Sequence, residues 1–259
     1  MKYPEKVSDH IVNWINTYIN KSRVKGIVIG ISGGVDSALT STLCAKTGQD
    51  ILCLEMPIYQ NIDQVSRSKK HIDWLKSNFK NVSSKKIELD KTFESFVSSL
   101  PNYSSDKHEL SLANSRSRLR MVTLYYFSGL NDYIVAGTGN KVEDFGIGFY
   151  TKYGDGGVDI SPIADLLKSE VYSLAKFHNI INEIIEAEPN DGLWNDNRSD
   201  EDQIGASYEE IENAMINYKK NENLSKREKD VLNIYHSFNS ANKHKMDPIP
   251  VCKIPIEYL

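Results

Sequence analysis

The sequence predicts an α/β fold, a doubly wound and mostly parallel sheet with helices on both faces. Short apolar runs alternate with longer stretches of helical periodicity, which is typical of parallel strands joined by crossover helices. Two of these runs, 27–29 and 133–136, lead into glycine-rich segments, as strands do where they enter a loop. The chain of 259 residues, 40% hydrophobic and 25% charged, can bury a full core. We therefore expect residues 1–259 to form a single domain.

The first half of the chain provides three strand candidates and two helices, besides a helix that begins near residue 38. Apolar side chains at helical spacing predict a helix over 11–19. One strand covers 27–29, a second covers 51–56 and a weak third covers 87–89. The helix predicted over 61–79 lies between the last two strands and carries its apolar residues on one face, so it should pack on the sheet.

The second half continues the alternation. A helix is predicted over 110–130, with Val122 and Tyr126 at core spacing, and another from Pro162 to about 177, because proline fits the first turn of a helix. The stretch 188–206 combines many acids with little apolar periodicity. We expect a mobile loop there, with a solvated linker as the alternative.

Capping signals locate several helix starts. Asn61 is the expected N-cap of its helix, with Gln64 reaching back to it. Ser207 and Ser225 are each followed three residues later by Glu, the spacing of a capping box. These signals predict two further helices near the C-terminus.

Composition excludes several classes of protein. The net charge of -4 gives no broad basic surface for nucleic acid. No apolar run approaches the ~20 residues that a membrane helix needs, and the N-terminus does not have the pattern of a signal sequence. The three cysteines, Cys44, Cys53 and Cys252, are odd in number and form no C-x-x-C pair. We expect a cytoplasmic protein with no membrane or nucleic-acid partner, in which Cys44 and Cys53 are buried thiols.

The segment Gly30–Ser37, with the sequence G-I-S-G-G-V-D-S, is the most informative feature. It lies between a strand and a helix start, where unpaired backbone N–H groups and the helix dipole favour an anion. Gly33 and Gly34 let the backbone approach a phosphate closely. A Walker-type loop would have lysine at the position of Asp36. A carboxylate beside a triphosphate requires a cation between them, so Asp36 is predicted to be a magnesium ligand.

Two further polar blocks follow. The segment 137–143, G-T-G-N-K-V-E, begins at the end of a predicted strand and would suit a second phosphate or metal contact. The segment 150–162 contains three glycines and two aspartates, but it does not have the spacing of a calcium loop. Each block alone is a weak signal.

The motif S-G-G-x-D-S at 32–37 resembles the ATP pyrophosphatase superfamily, which cleaves ATP to AMP and pyrophosphate and has the adenine nucleotide alpha hydrolase-like fold. With it, the blocks at 138–143, 151–157 and 162–168 are similar in order and spacing to NAD synthetase, and so is the basic pair at 244–245. The resemblance covers nearly the whole chain.

The resemblance implies the role of each matching position. ATP would be bound by Gly30, Ile31, Ser32, Gly33, Gly34, Val35, Asp36, Ser37, Thr138, Lys168 and Asn190. Deamido-NAD would be bound by Arg118, Lys152, Asp159, His244 and Lys245. Magnesium would be bound by Asp36, Glu143 and Asp155, and the catalytic residues would be Asp36, Asp155 and Lys168. Asn190 departs from the family, which usually has Ser or Thr there.

The implied reaction is amidation of deamido-NAD through an acyl-adenylate, with magnesium as cofactor and ATP as co-substrate, in a homodimer. Because only a short helix precedes the loop at Gly30, we expect free ammonia rather than glutamine as the nitrogen donor. Two alternatives stay open: a superfamily enzyme that adenylates another acceptor, as in GMP synthesis or tRNA thiolation, and a non-catalytic ATP-binding module.

Overall fold

The computed structural model describes residues 1–101, 103–190, 192, 199–217 and 224–259. Its four strands are β1 (Gly26–Gly30), β2 (Asp50–Glu55), β3 (Val82–Lys86) and β4 (Tyr133–Val135). They form a parallel sheet in the order β3-β2-β1-β4, in which Val28 pairs with Leu52 on one side and Val135 on the other. The sheet order reverses at β1, so β1 and β4 flank a switch point where ligands bind in such folds.

The described helices connect and cover these strands. The α-helices are α1 (Pro4–Ser22), α2 (Val35–Lys46), α3 (Ile62–Asn78), α4 (Asp90–Ser98), α5 (Asp106–Asn131), α6 (Lys168–Phe177), α7 (Asn182–Ile185), α8 (Asp200–Ile204), α9 (Tyr208–Asn217) and α10 (Lys226–Met246). A π-helix spans Val142–Ile147 and a short 3-10 helix spans Ile256–Tyr258. No helix among the described residues is long and apolar enough to cross a membrane.

Alternating side chains of β1 enter two different cores. Ile27 and Ile29 pack with α1, α2, α3 and α6, whereas Val28 packs with α4 and α5 on the opposite face. This alternation follows from the two-residue period of a strand. Helices therefore cover both faces of the sheet, which confirms the doubly wound fold.

A third core lies beyond the sheet. Buried side chains of the π-helix, α8, α9 and α10 form it, among them Ile147, Tyr208 and Val231. The amides of Asn239 and Asn242 on α10 donate to the carbonyls of Gly146 and Ile147. The C-terminal helices are thereby fastened to the segment that follows β4.

Two predicted elements were wrong in position. The third strand is Val82–Lys86 rather than 87–89, because this edge strand is mostly polar and half-exposed, whereas Leu89 is buried as the N-cap of α4. The helix expected from Pro162 begins instead at Lys168. Ile160 still pairs with Ala136 at the edge of the sheet. Residues 162–166 therefore form turns that lead the chain away from the sheet before α6 begins.

Some predicted contacts were also wrong. Asn61 caps α3 as expected, but Gln64 donates to the carbonyl of Asn190 instead of reaching back. Val122 and Tyr126 are 66% and 63% exposed, because α5 turns another face to the sheet. The capping boxes at Ser207 and Ser225 are both formed, and Cys44 and Cys53 are buried free thiols, as predicted.

The expected mobile loop at 188–206 falls partly outside the described residues, which omit 191 and 193–198. The described part of this stretch includes α8, whose N-cap Ser199 forms a capping box with Asp202. A local helix therefore interrupts the stretch that the sequence presented as irregular.

Candidate active site

A cleft of about 640 Å³ opens above the carboxyl ends of β1 and β4. Its walls include the Gly30–Ser37 loop, Thr138, Glu143 and Lys168. This is the switch point of the sheet, where neighbouring crossovers leave toward opposite faces and open a crevice.

Hydrogen bonds of its own serines stabilise the shape of the Gly30–Ser37 loop. The hydroxyl of Ser37 accepts from the Ser32 N–H at 3.2 Å and donates to the Gly34 carbonyl at 3.0 Å. Gly33 has φ +87°, and a side chain there would lie 2.5 Å from the carbonyl oxygen of Gln64. Glycine is therefore required at Gly33 both by its backbone angle and by the close approach of α3.

A buried ion cluster lies beside this loop. The ammonium of Lys168 is 2.6 Å from Asp36 Oδ2 and 2.9 Å from Glu143 Oε1. The side chain of Lys168 is only 4% exposed, and those of Asp36 and Glu143 are 16% and 17% exposed. Asp36 comes from the first turn of α2 and Glu143 from the π-helix, so Lys168 joins segments far apart in sequence.

Asn140 connects Asp36 to the start of the π-helix that carries Glu143, and sequence reasoning missed it. Its amide donates to Asp36 Oδ1 at 3.0 Å, while its carbonyl oxygen accepts from the N–H groups of Val142 and Glu143. Asn140 is fully buried. One side chain therefore caps the π-helix and orients Asp36.

Tyr208 on α9 completes the cluster and was also missed. Its hydroxyl donates to Glu143 Oε1 at 2.6 Å and lies 3.3 Å from Asp200 Oδ2. The ammonium of Lys168 lies 4.6 Å from the centroid of its ring. The capping signal at Ser207 located the start of this helix, but nothing in the sequence indicated which way Tyr208 would point.

The charges in this cluster depend on one another. Burial works against the charge of Lys168, but Asp36 and Glu143 outweigh it and raise the pKa of the ammonium. Burial also works against the charge of Glu143, but Lys168 and Tyr208 outweigh it and lower its pKa. Burial raises the pKa of Asp36 despite the nearby Lys168. A permanent cation thus holds two carboxylates together.

A further carboxylate, Asp144, faces the same cleft. Burial raises its pKa to about 8, and the charges of Glu143, Asp155 and Asp36 add to the shift. A side chain on Gly139 would collide with the Asp144 carboxyl, so the glycine makes room for it. Asp144 comes directly after the 137–143 segment, and no sequence pattern indicated that it would face inward.

Asp155 lies on the loop over 151–157 and faces the cleft. Its Oδ1 accepts from the Ser117 hydroxyl at 2.6 Å and from the Thr151 N–H at 3.1 Å. Desolvation raises the pKa of Asp155, although these hydrogen bonds act in the opposite direction. Ser117 belongs to α5, so the carboxylate is positioned jointly by that helix and the loop.

Basic side chains form a rim beside the cleft. Arg118 Nε donates to the carbonyl of Lys152, and Lys152 Nζ donates to the carbonyl of His244. Lys245 Nζ donates to the carbonyls of Gly148 and Tyr150 at 2.9 Å and 2.8 Å, and partial burial lowers its pKa. The C-terminal end of α10 is thereby connected to α5 through the loop.

The structure brings most of the predicted site residues together. All eleven positions assigned to ATP line the cleft, together with Glu143, Asp155 and Lys245. Arg118, Lys152 and His244 are on the rim, outside the cleft lining. Asp159 lies apart, where it accepts from the Val135 N–H and from the Tyr125 hydroxyl.

The residues present fit a magnesium ion. Asp36 and Glu143 already hold a cation, the Lys168 ammonium, between carboxylate oxygens, the donor atoms that magnesium prefers. Within the described parts of the chain, no three His, Cys, Asp or Glu side chains are grouped to hold a metal by themselves. Magnesium usually takes one or two carboxylates and completes its shell with water and phosphate oxygens, so this pair is sufficient.

The sheet order and the loop at its switch point define a protein of the ATP pyrophosphatase fold. Residues 7–248 match the family model of NAD synthase, and the chain belongs to this family. It is 36% identical over 214 residues to the NH3-dependent NAD+ synthetase of Carboxydothermus hydrogenoformans, covering 82% of this chain and 85% of that protein. It is also 36% identical over 220 residues to the enzyme of that name from Mesoplasma florum, covering 85% and 87%.

Solved structures of synthetases have the same fold as this chain. NMN synthetase from Francisella tularensis superimposes with a TM-score of 0.85 at 29% identity, covering 97% of this chain and 99% of that one. NH3-dependent NAD synthetase from Campylobacter jejuni superimposes with a TM-score of 0.78 at 26% identity, covering 96% and 99%.

Proposed function

We propose that this chain catalyses the ATP-dependent amidation of deamido-NAD by ammonia, giving NAD, AMP and pyrophosphate through an acyl-adenylate. The observation that carries the proposal is a single cleft joining the Gly30–Ser37 loop to the buried Asp36–Lys168–Glu143 cluster. Membership of the NAD synthase family supports this reaction over adenylation of another acceptor or simple ATP binding.

In the first step, the nicotinate carboxylate attacks the α-phosphate of ATP, forming an acyl phosphate bond and releasing pyrophosphate. The N–H groups of the Gly30–Ser37 loop, with Thr138 and Asn190 nearby, bind and orient the triphosphate. Lys168 stabilises the charge that moves onto pyrophosphate. Magnesium held by Asp36 and Glu143, with a second ion at Asp155, would neutralise the triphosphate.

In the second step, the ammonia nitrogen bonds to the activated carbonyl carbon. The bond from that carbon to the AMP oxygen breaks, AMP leaves with the electron pair, and the nitrogen loses a proton. We assign the ammonia contact to Asp155, a carboxylate that faces the cleft and is fixed by Ser117 and Thr151. Positioning and charge neutralisation then account for catalysis without a covalent nucleophile.

We assign deamido-NAD to the rim, where Arg118, Lys152, His244 and Lys245 would meet its phosphates. Asp159 stays a predicted contact of its polar groups, although it lies apart from the rim and accepts from Val135 and Tyr125. We also propose a homodimer that contacts through α5. Val122, Tyr126 and Leu130 form an exposed apolar stripe along this helix at 66%, 63% and 63% exposure, and Arg118 lies one turn before it. A second copy on this stripe would stand next to the rim.

The first experiment is an assay of the purified chain with ATP, magnesium, deamido-NAD and ammonium. We expect matched release of NAD and pyrophosphate, dependent on ammonium. Activity with glutamine alone would contradict the assigned nitrogen donor. Pyrophosphate without NAD would indicate another acceptor, and ATP binding without cleavage would indicate a binding module.

A second candidate substrate follows from the higher TM-score of the NMN synthetase structure. Amidation of nicotinate mononucleotide would use the same ATP chemistry on a smaller acid. We favour the dinucleotide because Arg118, Lys152 and His244 lie outside the lining of the cleft that contains the ATP loop, where a second nucleotide would be bound. A comparison of kcat/KM for the two acids decides; a preference for the mononucleotide would replace deamido-NAD as substrate.

A further inference from the structure

The phenol of Tyr208 reaches the phosphate site from a different part of the molecule. Tyr208 belongs to the third core, with α8, α9 and α10, and is 6% exposed. Its backbone N–H donates to Glu201 Oε1 at 2.8 Å, so the start of α9 is tied to α8. The third core and this hydrogen bond hold the start of α9, from which the Tyr208 side chain reaches Glu143.

The contacts of Tyr208 with the ion cluster are specific. Its hydroxyl donates to the same Glu143 oxygen that accepts from Lys168, and its ring faces the Lys168 ammonium. An uncharged donor bound to a carboxylate restricts its rotation without neutralising it. The ring adds a cation–π contact that keeps the ammonium between the two carboxylates.

We infer that Tyr208 is a positioning residue: its hydroxyl fixes the Glu143 carboxylate, and its ring fixes Lys168, so that a divalent cation and the triphosphate meet a preset arrangement. The inference rests on the proposed function, since it assigns Glu143 and Lys168 to metal and phosphate. Tyr208 acts through these two side chains and itself contacts no reacting atom.

The change that tests this is Tyr208→Phe, which keeps the ring and removes the hydroxyl. Mn²⁺ binding is measured by the electron paramagnetic resonance of free Mn²⁺, with a non-hydrolysable ATP analogue present. The loss of a residue that orients a metal ligand typically weakens metal binding by about 10- to 100-fold. We expect at least a 10-fold rise in the Mn²⁺ dissociation constant and in the magnesium concentration for half-maximal activity. At saturating magnesium, kcat should stay within about 3-fold of the wild-type value.

The matched control is Tyr59→Phe, which removes a phenol–carboxylate hydrogen bond of similar length, to Glu94, outside the cleft. It should leave both metal measurements unchanged. Unaltered Mn²⁺ binding in Y208F would overturn the inference, as would an equal effect of Y59F.

A double-mutant cycle separates positioning from a general loss of structure. With Glu143→Ala as background, Y208F should have almost no further effect on Mn²⁺ binding, because the carboxylate that the hydroxyl positions is gone and only the longer contact with Asp200 remains. Additive effects would mean that Tyr208 supports the fold and not Glu143. The Mn²⁺ measurement does not need turnover, so it decides on Tyr208 even if the wild-type chain makes no NAD.

Discussion

The two halves of the site differ in how their charges are balanced. In the ion cluster, Lys168 is 4% exposed and paired with two carboxylates of the same chain. On the rim, the exposed Arg118 and the more enclosed Lys152 and Lys245 donate to backbone carbonyls, and the described residues show no ion pair for any of the three. The cluster is complete within one chain, whereas the rim has positive charge available for a ligand.

This difference predicts where mutations act. Removing one member of a buried, paired set leaves an uncompensated charge, which is expensive in a low-dielectric site. Removing an exposed cation loses a weaker, screened interaction. Changes in the cluster should therefore affect stability and turnover together, and changes on the rim should affect the binding of one substrate.

The largest effect is expected from Lys168→Ala. It should lower turnover at least about 100-fold, because a preorganised charge opposite the leaving pyrophosphate is lost. It should also lower the free energy of unfolding by about 3–5 kcal/mol, because two buried carboxylates lose their shared cation. Steady-state pyrophosphate release and urea unfolding measure the two effects.

A compensating change sharpens this prediction. Adding Glu143→Gln to Lys168→Ala removes one of the two uncompensated charges, so it should recover part of the stability but none of the turnover. If the double variant were no more stable than the single one, the electrostatic explanation of the stability loss would be wrong.

A second effect is expected from acid, which should lower the stability of the protein through a buried histidine on α3. His71 on α3 bonds to the Ser41 hydroxyl at 3.0 Å and stacks on Trp74, and burial lowers its pKa to about 4. Between pH 6.5 and 4 the unfolded chain binds a proton that the native state rejects. Stability should therefore fall by about 3 kcal/mol as pH decreases through that range.

Urea unfolding at pH 7.0, 5.5 and 4.5 checks this dependence. His71→Gln removes the titrating group and should make the pH dependence shallower than that of the wild type. An unchanged slope would assign the acid sensitivity to other groups, of which His178, with its pKa also lowered to about 4 chiefly by burial, is the first to test.

The sequence predicted the loop and the charged residues of the ion cluster better than the residues that hold them in place. The Gly30–Ser37 motif located the loop because the motif itself contains the residue types that the predicted phosphate contacts require. Asn140 and Tyr208 were missed because their roles depend on where tertiary packing brings Asp36 and Glu143. A buried amide or phenol has no local pattern that distinguishes it from a solvated one.

The fold shows the same division. Elements with a clear apolar pattern, such as β1 and α3, were predicted from that pattern. The edge strand Val82–Lys86 was misplaced because it has few apolar residues to reveal it. The exposed stripe of Val122 and Tyr126 was read as core because periodicity identifies an apolar face but not what that face contacts.

The third prediction concerns Asn140→Ala. It leaves the N–H groups of Val142 and Glu143 without this acceptor and Asp36 Oδ1 without the Asn140 donor, while Asp36 Oδ2 keeps Lys168, so stability should fall by about 2 kcal/mol. Asn140→Asp is the matched variant: it retains the acceptor oxygen but places a second negative charge against Asp36. Urea unfolding and the magnesium dependence of turnover should separate them, with the Asp variant more impaired in magnesium dependence than its loss of stability explains. Equal behaviour would show that Asn140 only caps the π-helix.

The smallest effect is expected on the rim, from Arg118→Ala. Its guanidinium is exposed and donates to one backbone carbonyl, so unfolding should change by less than about 0.5 kcal/mol. We expect KM for deamido-NAD to rise about 5- to 10-fold, the equivalent of about 1 kcal/mol, with KM for ATP unchanged.

The control for Arg118 is Lys243→Ala, which removes another exposed cation. Lys243 lies in the last turn of α10 and pairs with Asp247, the residue that follows the helix. This variant should leave both KM values unchanged. The increase in KM for R118A should also shrink as salt is raised, because exposed charges are screened over about 8–10 Å at physiological ionic strength. An equal rise in KM for ATP would contradict this assignment. It would mean that the rim contributes to ATP binding as well, and that the paired cluster and the unpaired rim do not bind separate substrates.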